Sequence, residues 1–241
     1  MTSREDVYVI YRPLPATLLT LVLALVGALL GLTLGSATAA ALGQRDPGQG
    51  VWDTSNTVTH TGVLVAEPYP MLLPDDQSAA VLLVGVGKVG PPADVLALAG
   101  NRVNVTGYGL ERDGLRMLEV QSAEAVSGSG GPRFRLAPID RGVHAIDTEI
   151  LDSKCYLGSM KPGDGTGHKA CAALCVTGGI PPMIHWKDDA GNAHYAIVTG
   201  PDGSSMPEAH RAIIGESVTV RGRVTSQHGW LWMEVESVDR R

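Results

Sequence analysis

The run from residue 16 to residue 42 carries no charged side chain, and Gly27, Gly31 and Gly35 recur within it at every fourth position. No other stretch constrains the fold as strongly. A bilayer's hydrocarbon core, about 30 Å thick, needs roughly 20 apolar residues in a helix, and residues 18–34 nearly supply them. Glycines four apart share one helix face, where the missing side chains let a second helix backbone approach closely. A cleaved signal peptide is the competing reading, because Ala37-Thr38-Ala39 and Ala39-Ala40-Ala41 offer small-residue cleavage sites. The apolar run outlasts the ~7–15 residues typical of a signal peptide, so we expect a retained transmembrane anchor over 15–42.

Arg4 and Arg12 precede this segment, and Arg45 is the only lysine or arginine between it and Lys88. That asymmetry puts the N-terminus (1–14) in the cytoplasm and exports the rest. The expected location is the bacterial inner membrane, crossed once, with the bulk of the chain in the periplasm. Membrane lipid and integral membrane subunits are then the partners of the anchor, the latter through Gly27, Gly31 and Gly35.

The formal charge of −6 belongs to the exported part, since Arg4, Glu5, Asp6 and Arg12 cancel. An acidic, aromatic-poor surface argues against nucleic acid, which needs a basic track with stacking rings. Thirty glycines and fifteen prolines punctuate short apolar runs, the mark of a β-rich chain with many turns. A polar tether spans 43–56. Strand signals follow at 57–66, 79–84, 102–108 and 115–122. A linker spans 127–143, opening on Ser127-Gly128-Ser129-Gly130-Gly131-Pro132, and further strand signals occupy 145–151, 183–186, 194–199, 217–224 and 231–238.

The two blocks read as copies. Gly100-Asn101-Arg102-Val103-Asn104-Val105-Thr106-Gly107 matches Gly215-Glu216-Ser217-Val218-Thr219-Val220-Arg221-Gly222, and each is followed by a strand ending Glu-Val-x-Ser. Val103 and Val105, like Val218 and Val220, alternate with polar neighbours as a half-buried strand requires. A spacing of about 115 residues marks a duplicated domain and not a solenoid. The fold class expected is mainly β: one N-terminal transmembrane helix, then two tandem small β-barrels of the oligonucleotide/oligosaccharide-binding (OB) type, 57–126 and 144–241. The second copy carries a Cys/His-bearing helical insertion at 152–182.

All three cysteines, Cys155, Cys171 and Cys175, lie in that insertion. Residues 168–176 are good helix formers that stop at Gly178-Gly179, so His168, Cys171 and Cys175 at i, i+3 and i+7 share a helix face. Cys155, at the end of the preceding strand, can fold over them. Three sulfurs and an imidazole suit a tetrahedral soft ion, zinc or copper(I). An exported, oxidising compartment instead favours a disulfide from Cys155 to Cys171 or Cys175, a loop closure contributing roughly 3 kcal/mol. Thiol redox chemistry is a third possibility, although Cys171 and Cys175 are spaced C-x-x-x-C and not C-x-x-C.

Asp152-Ser153-Lys154-Cys155, followed by His168-x-x-Cys171-Ala172-x-x-Cys175-x-x-Gly178, resembles a group of small exported or membrane-anchored bacterial proteins. Those carry a D-S-x-C…H-x-x-C-A-x-x-C-x-x-G pattern in an OB-like barrel. The resemblance covers 148–238 and implies a barrel and an exported location; the first copy lacks every cysteine of it.

Other signals are weaker. Gly85-Val-Gly87-Lys-Val-Gly90 fits a dinucleotide fingerprint, but Pro91-Pro92 follows where a helix must open, so a loop is expected. His185, His194, His210 and His228 are scattered, and Trp230 and Trp232 fit packing at a barrel end. No cofactor is expected apart from the zinc or copper alternative. The function expected is a non-catalytic, periplasmic accessory subunit of a multi-subunit respiratory or photosynthetic electron-transfer complex. The alternative is a periplasmic metal-binding or thiol-redox protein.

Overall fold

The computed structural model describes residues 15–44, 50–126 and 137–241. The expectations for 1–14, for residues 45–49 of the tether and for the glycine-serine run at 127–132 lie outside the described residues. The chain divides into a helical unit, Met1–Asp46, and a β unit, Pro47–Arg241.

In the helical unit, α1 (Ala16–Gly43) runs for 28 residues with no buried residue. At 1.5 Å per residue it is about 42 Å long, enough to cross a membrane by length and composition. Three of its hydroxyls are satisfied within the helix: those of Thr20, Thr33 and Ser36 donate to the carbonyls of Ala16, Leu29 and Leu32, four residues back, at 2.8, 2.9 and 2.7 Å. This is the arrangement an apolar solvent demands of a hydroxyl.

In the β unit, β1 (Val51–Val65), β2 (Met71–Pro74), β3 (Val81–Val84), β4 (Arg102–Arg112) and β5 (Leu115–Ala125) close into a barrel of order β1-β2-β3-β5-β4. Here β3 lies parallel to β5, and the other pairs are antiparallel. A four-residue α2 (Ala93–Leu96) sits between β3 and β4. The strands β6 (Ile139–Glu149), β7 (Leu151–Asp152), β8 (Pro182–Lys187), β9 (Ala193–Thr199), β10 (Ser217–Gln227) and β11 (Trp230–Arg240) form a second sheet of order β6-β10-β11-β9-β8-β7. Its pairings repeat those of the first, with β9 parallel to β11. Together β6 and β7 stand where β1 stands, but they are parted at Ile150, whose carbonyl accepts the Gly215 amide at 2.7 Å. The first copy makes the matching bond from Gly100 to Leu64 at 2.8 Å. The protein is therefore mainly β with one N-terminal apolar helix, and the second copy is a six-stranded sheet and not the closed barrel expected.

The duplication reaches down to single irregularities. The ladder slips between Thr106 and Gly107 and again between Arg221 and Gly222, one bulge in each copy at the same place. A methyl at Gly107 or Gly222 would overlap the carbonyl oxygen of Glu119 or Glu234 across the ladder. Only glycine tolerates so close a backbone approach.

The expected separation of the copies by a linker is not what the β unit shows. One cluster of buried side chains joins Leu82, Val84, Leu110 and Met117 of the first copy to Ile197, Trp230 and Trp232 of the second. Polar bonds cross the same seam: the Trp230 indole donates to the Ala80 carbonyl, and the Tyr69 hydroxyl donates to that of Val198, both at 2.8 Å. Trp230 and Trp232 thus pack between the copies. Two boundaries also move, because β1 begins inside the expected tether and β6 inside the expected linker. Strand β2, flanked by Pro70 and ended by Pro74, had no strand signal of its own.

Gly107→Ala and Gly222→Ala are each expected to destabilise the β unit by about 1–3 kcal/mol. Gly109→Ala, in the same strand as Gly107 but meeting only the Val58 side chain at 3.8 Å, is expected to change little. Denaturant melts of the three variants check this; equal effects at Gly107 and Gly109 would refute the bulge assignment.

Candidate metal centre

The insertion between β7 and β8 builds the site. Asp152 ends β7 and is fully buried. One of its carboxylate oxygens accepts the Cys155 backbone N–H at 2.8 Å and the other faces the His168 Nε2 at 3.0 Å. Ser153 donates its hydroxyl to the Pro181 carbonyl at 2.7 Å, closing the base of the insertion. The chain then makes a π turn, Cys155–Ser159, and loops to α3 (Lys169–Thr177), which starts after His168. The helix ends at Gly178-Gly179, where Gly179 takes φ +100° and a side chain on Gly178 would overlap the Lys88 carbonyl. Each polar residue of Asp-Ser-x-Cys thus has a separate bonding role.

Of the four residues expected from the sequence, the structure groups Cys155, His168 and Cys171, while Cys175 lies beside Cys155 in a second group with Asp152. The sulfurs of Cys155 and Cys171 stand 3.9 Å apart. Ligand atoms of Cys155, His168 and Cys171 lie within 4.8 Å of one another, as do those of Asp152, Cys155 and Cys175. Cys155, Cys175 and His168 are buried, and Cys171 is partly exposed. The expected disulfide staple is not formed: all three cysteines are free, and 3.9 Å is well beyond the ~2.05 Å of an S–S bond.

The electrostatics separate the chemical options. The neighbouring Cys175 and then burial push the Cys155 thiol well above its ordinary range, with His168 pulling the other way. An activated nucleophile needs the opposite shift. The bond to Asp152, with a further one to Cys155, raises His168 to about 9. In the metal-free chain this pair's contribution to stability is complete below pH 6.5 and is lost as pH rises through about 9.

Two lysines tie the site to the first copy. Lys154, only 3% exposed, donates to the carbonyls of Gly85 and Gly87 at 2.9 and 2.8 Å and pairs with the buried Glu119. Lys88, on the loop those glycines shape, donates to the Cys171 sulfur and lies 3.8 Å from that of Cys175. The glycine-rich segment is a loop, and its role here was missed. The single lysine at its tip was the available signal, but nothing local connects it to cysteines more than 80 residues away. Of the scattered histidines, His185 stacks on Tyr156 and His194 on Trp186, and neither joins the cysteines. A second cluster of Glu149, Asp164 and His185 is only half-buried, and both Glu149 oxygens accept the Gly165 amide at 2.9 Å.

No family model, curated protein or solved structure matches this chain.

Lys154→Met strands the Glu119 charge in the interior and is expected to cost about 3–5 kcal/mol, whereas Lys154→Met with Glu119→Leu should recover most of it. Chemical denaturation of the single and double variants measures both. A double variant no more stable than the single one would show that the pair is not the connection inferred here.

Proposed function

We propose that this chain is a membrane-anchored exported protein whose β unit holds a zinc ion at Cys155, His168, Cys171 and Cys175. The observation that carries the proposal is the cluster in which the buried Cys155 and His168 and the partly exposed Cys171 offer ligand atoms within 4.8 Å of one another. A tetrahedral ion with sulfur ligands at about 2.3 Å sets those sulfurs roughly 3.8 Å apart, and the Cys155–Cys171 separation is 3.9 Å. Asp152 on His168 Nε2 leaves Nδ1 as the ligand atom, the carboxylate–histidine–metal arrangement that fixes the tautomer. Charge favours zinc over copper(I). Three thiolates and a neutral imidazole leave one net negative charge around zinc and two around copper(I), and Lys88 supplies a compensating positive charge. Four protein ligands leave no open coordination position, so the ion is structural and the chain non-catalytic. The strand order β1-β2-β3-β5-β4 with its parallel β3/β5 pair supports an OB-type reading of the first copy, repeated in the second as an opened variant.

Reduced, metal-free full-length chain titrated with zinc against a competing chelator is expected to bind one equivalent. His168→Ala and Cys171→Ser should weaken binding strongly, and Asp152→Asn by about 10–100-fold. Because binding must displace the His168 proton and the thiol protons, apparent affinity should climb as pH rises towards about 9. A reduced chain that retains no zinc, or binding indifferent to His168 and Cys171, contradicts the proposal.

A second reading concerns the anchor: an accessory subunit of a respiratory or photosynthetic inner-membrane complex, its N-terminus cytoplasmic and its β unit periplasmic. Its support is the spacing of Gly27, Gly31 and Gly35, four residues apart along α1 and therefore on one face of that helix. Such a face lets another helix approach closely. Purification in mild detergent should recover stoichiometric membrane partners, and Gly31→Leu should release them. A chain monomeric at every detergent concentration sinks this reading and leaves the metal site untouched.

A further inference from the structure

Lys88 and Cys171 belong to different copies, yet the structure clamps them together from both sides. The loop carrying Lys88 is closed on itself by the Gly85 amide donating to the Val89 carbonyl at 2.9 Å. Lys154 holds it from below through the Gly85 and Gly87 carbonyls. Beyond Lys88, the Gly90 amide donates to the Gly178 carbonyl at 2.8 Å, at the end of the helix that bears Cys171. The loop and the helix are thereby fixed to each other, and the Lys88 amine rests on the Cys171 sulfur.

Exposure singles out the same pair. Lys88 is exposed, and Cys171 is partly exposed while Cys155 and Cys175 are buried. A dissolved oxidant reaches the amine and this thiol first. The amine is also nearer to the Cys171 sulfur than the Cys155 sulfur is, at 3.9 Å.

We propose that Lys88 and Cys171 are a redox modification site, at which dioxygen inserts one oxygen atom between the lysine nitrogen and the cysteine sulfur. The ammonium first loses its extra proton to solvent. The amine and the thiol then each give up one hydrogen, N–O and O–S bonds form, and the second oxygen atom leaves as water carrying both hydrogens. Nitrogen and sulfur each lose two electrons, and dioxygen accepts all four. Four equivalents of an external thiol reverse the step, yielding amine, thiol, water and two external disulfides. The link covalently joins the two copies across their seam. If the zinc reading holds, it also removes Cys171 from the ligand set and Lys88 from charge compensation, so oxidation releases the ion.

The test uses the full chain in detergent, stripped with a chelator, equilibrated in air and weighed intact beside a reduced sample. The expected result is a gain of about 14 Da that dithiothreitol reverses. Proteolysis should give one fragment joining the Lys88 and Cys171 peptides. Lys88→Arg and Cys171→Ser should abolish the gain, while Cys175→Ser keeps it. A loss of about 2 Da, marking a Cys155–Cys171 disulfide, overturns the proposal. So does a gain of about 16 or 32 Da on Cys171 without linkage, or an unchanged mass. Zinc binding by reduced Lys88→Arg, in which the link cannot form, reports on the metal reading separately.

Discussion

The buried contact of Lys154 with Glu119 holds the site and the fold in register. Lys154 immediately precedes Cys155 in the second copy, while Glu119 lies on β5 of the first. An ammonium and a carboxylate taken out of water together are tolerable only when their remaining bonding capacity is met. Here the Gly85 and Gly87 carbonyls meet it on the lysine side. Because both carbonyls belong to the loop that carries Lys88, the pair that joins the copies also aims the lysine that reaches the cysteines. Packing around it supplies the bulk of the stabilisation, through Leu82, Met117, Ile180 and Trp230 in one shared cluster.

The duplicated fold was then put to unequal use. In the first copy, five residues and a cis Glu67–Pro68 bond connect β1 to β2. At the equivalent point of the second, the connection swells into a π turn and a helix that carry three cysteines and a histidine. The first copy contributes no cysteine, but it contributes Lys88, and its core covers Cys155 and Cys175. The copies are thus two halves of one site.

Much of the fold was legible in the sequence because it rests on local patterns. The charge-free run specified α1, and the paired Gly-x-x-Val-x-Val-x-Gly segments specified the hairpins; the bulges at Gly107 and Gly222 were not read from them, because they depend on how close the opposite strand comes. The helix bearing Cys171 and Cys175 was readable from its composition and its terminal glycines. What stayed hidden was non-local. Three residues between prolines, Met71 to Leu73, do not announce a strand, so β2 was missed. A glycine-serine segment suggested two independent domains, although Trp230 and Trp232 had the apolar surface to seal a seam. Nothing near Lys88 or Lys154 says which partner lies across that seam; only the packed chain does.

The central claim is that the cysteine and histidine cluster is a closed soft-metal centre, and X-ray absorption at the zinc edge of the reduced, zinc-loaded chain tests it most directly. Three sulfurs at about 2.3 Å and one nitrogen at about 2.0 Å are expected, with no water ligand. A shell made only of oxygen and nitrogen, or one with fewer than three sulfurs, would contradict it.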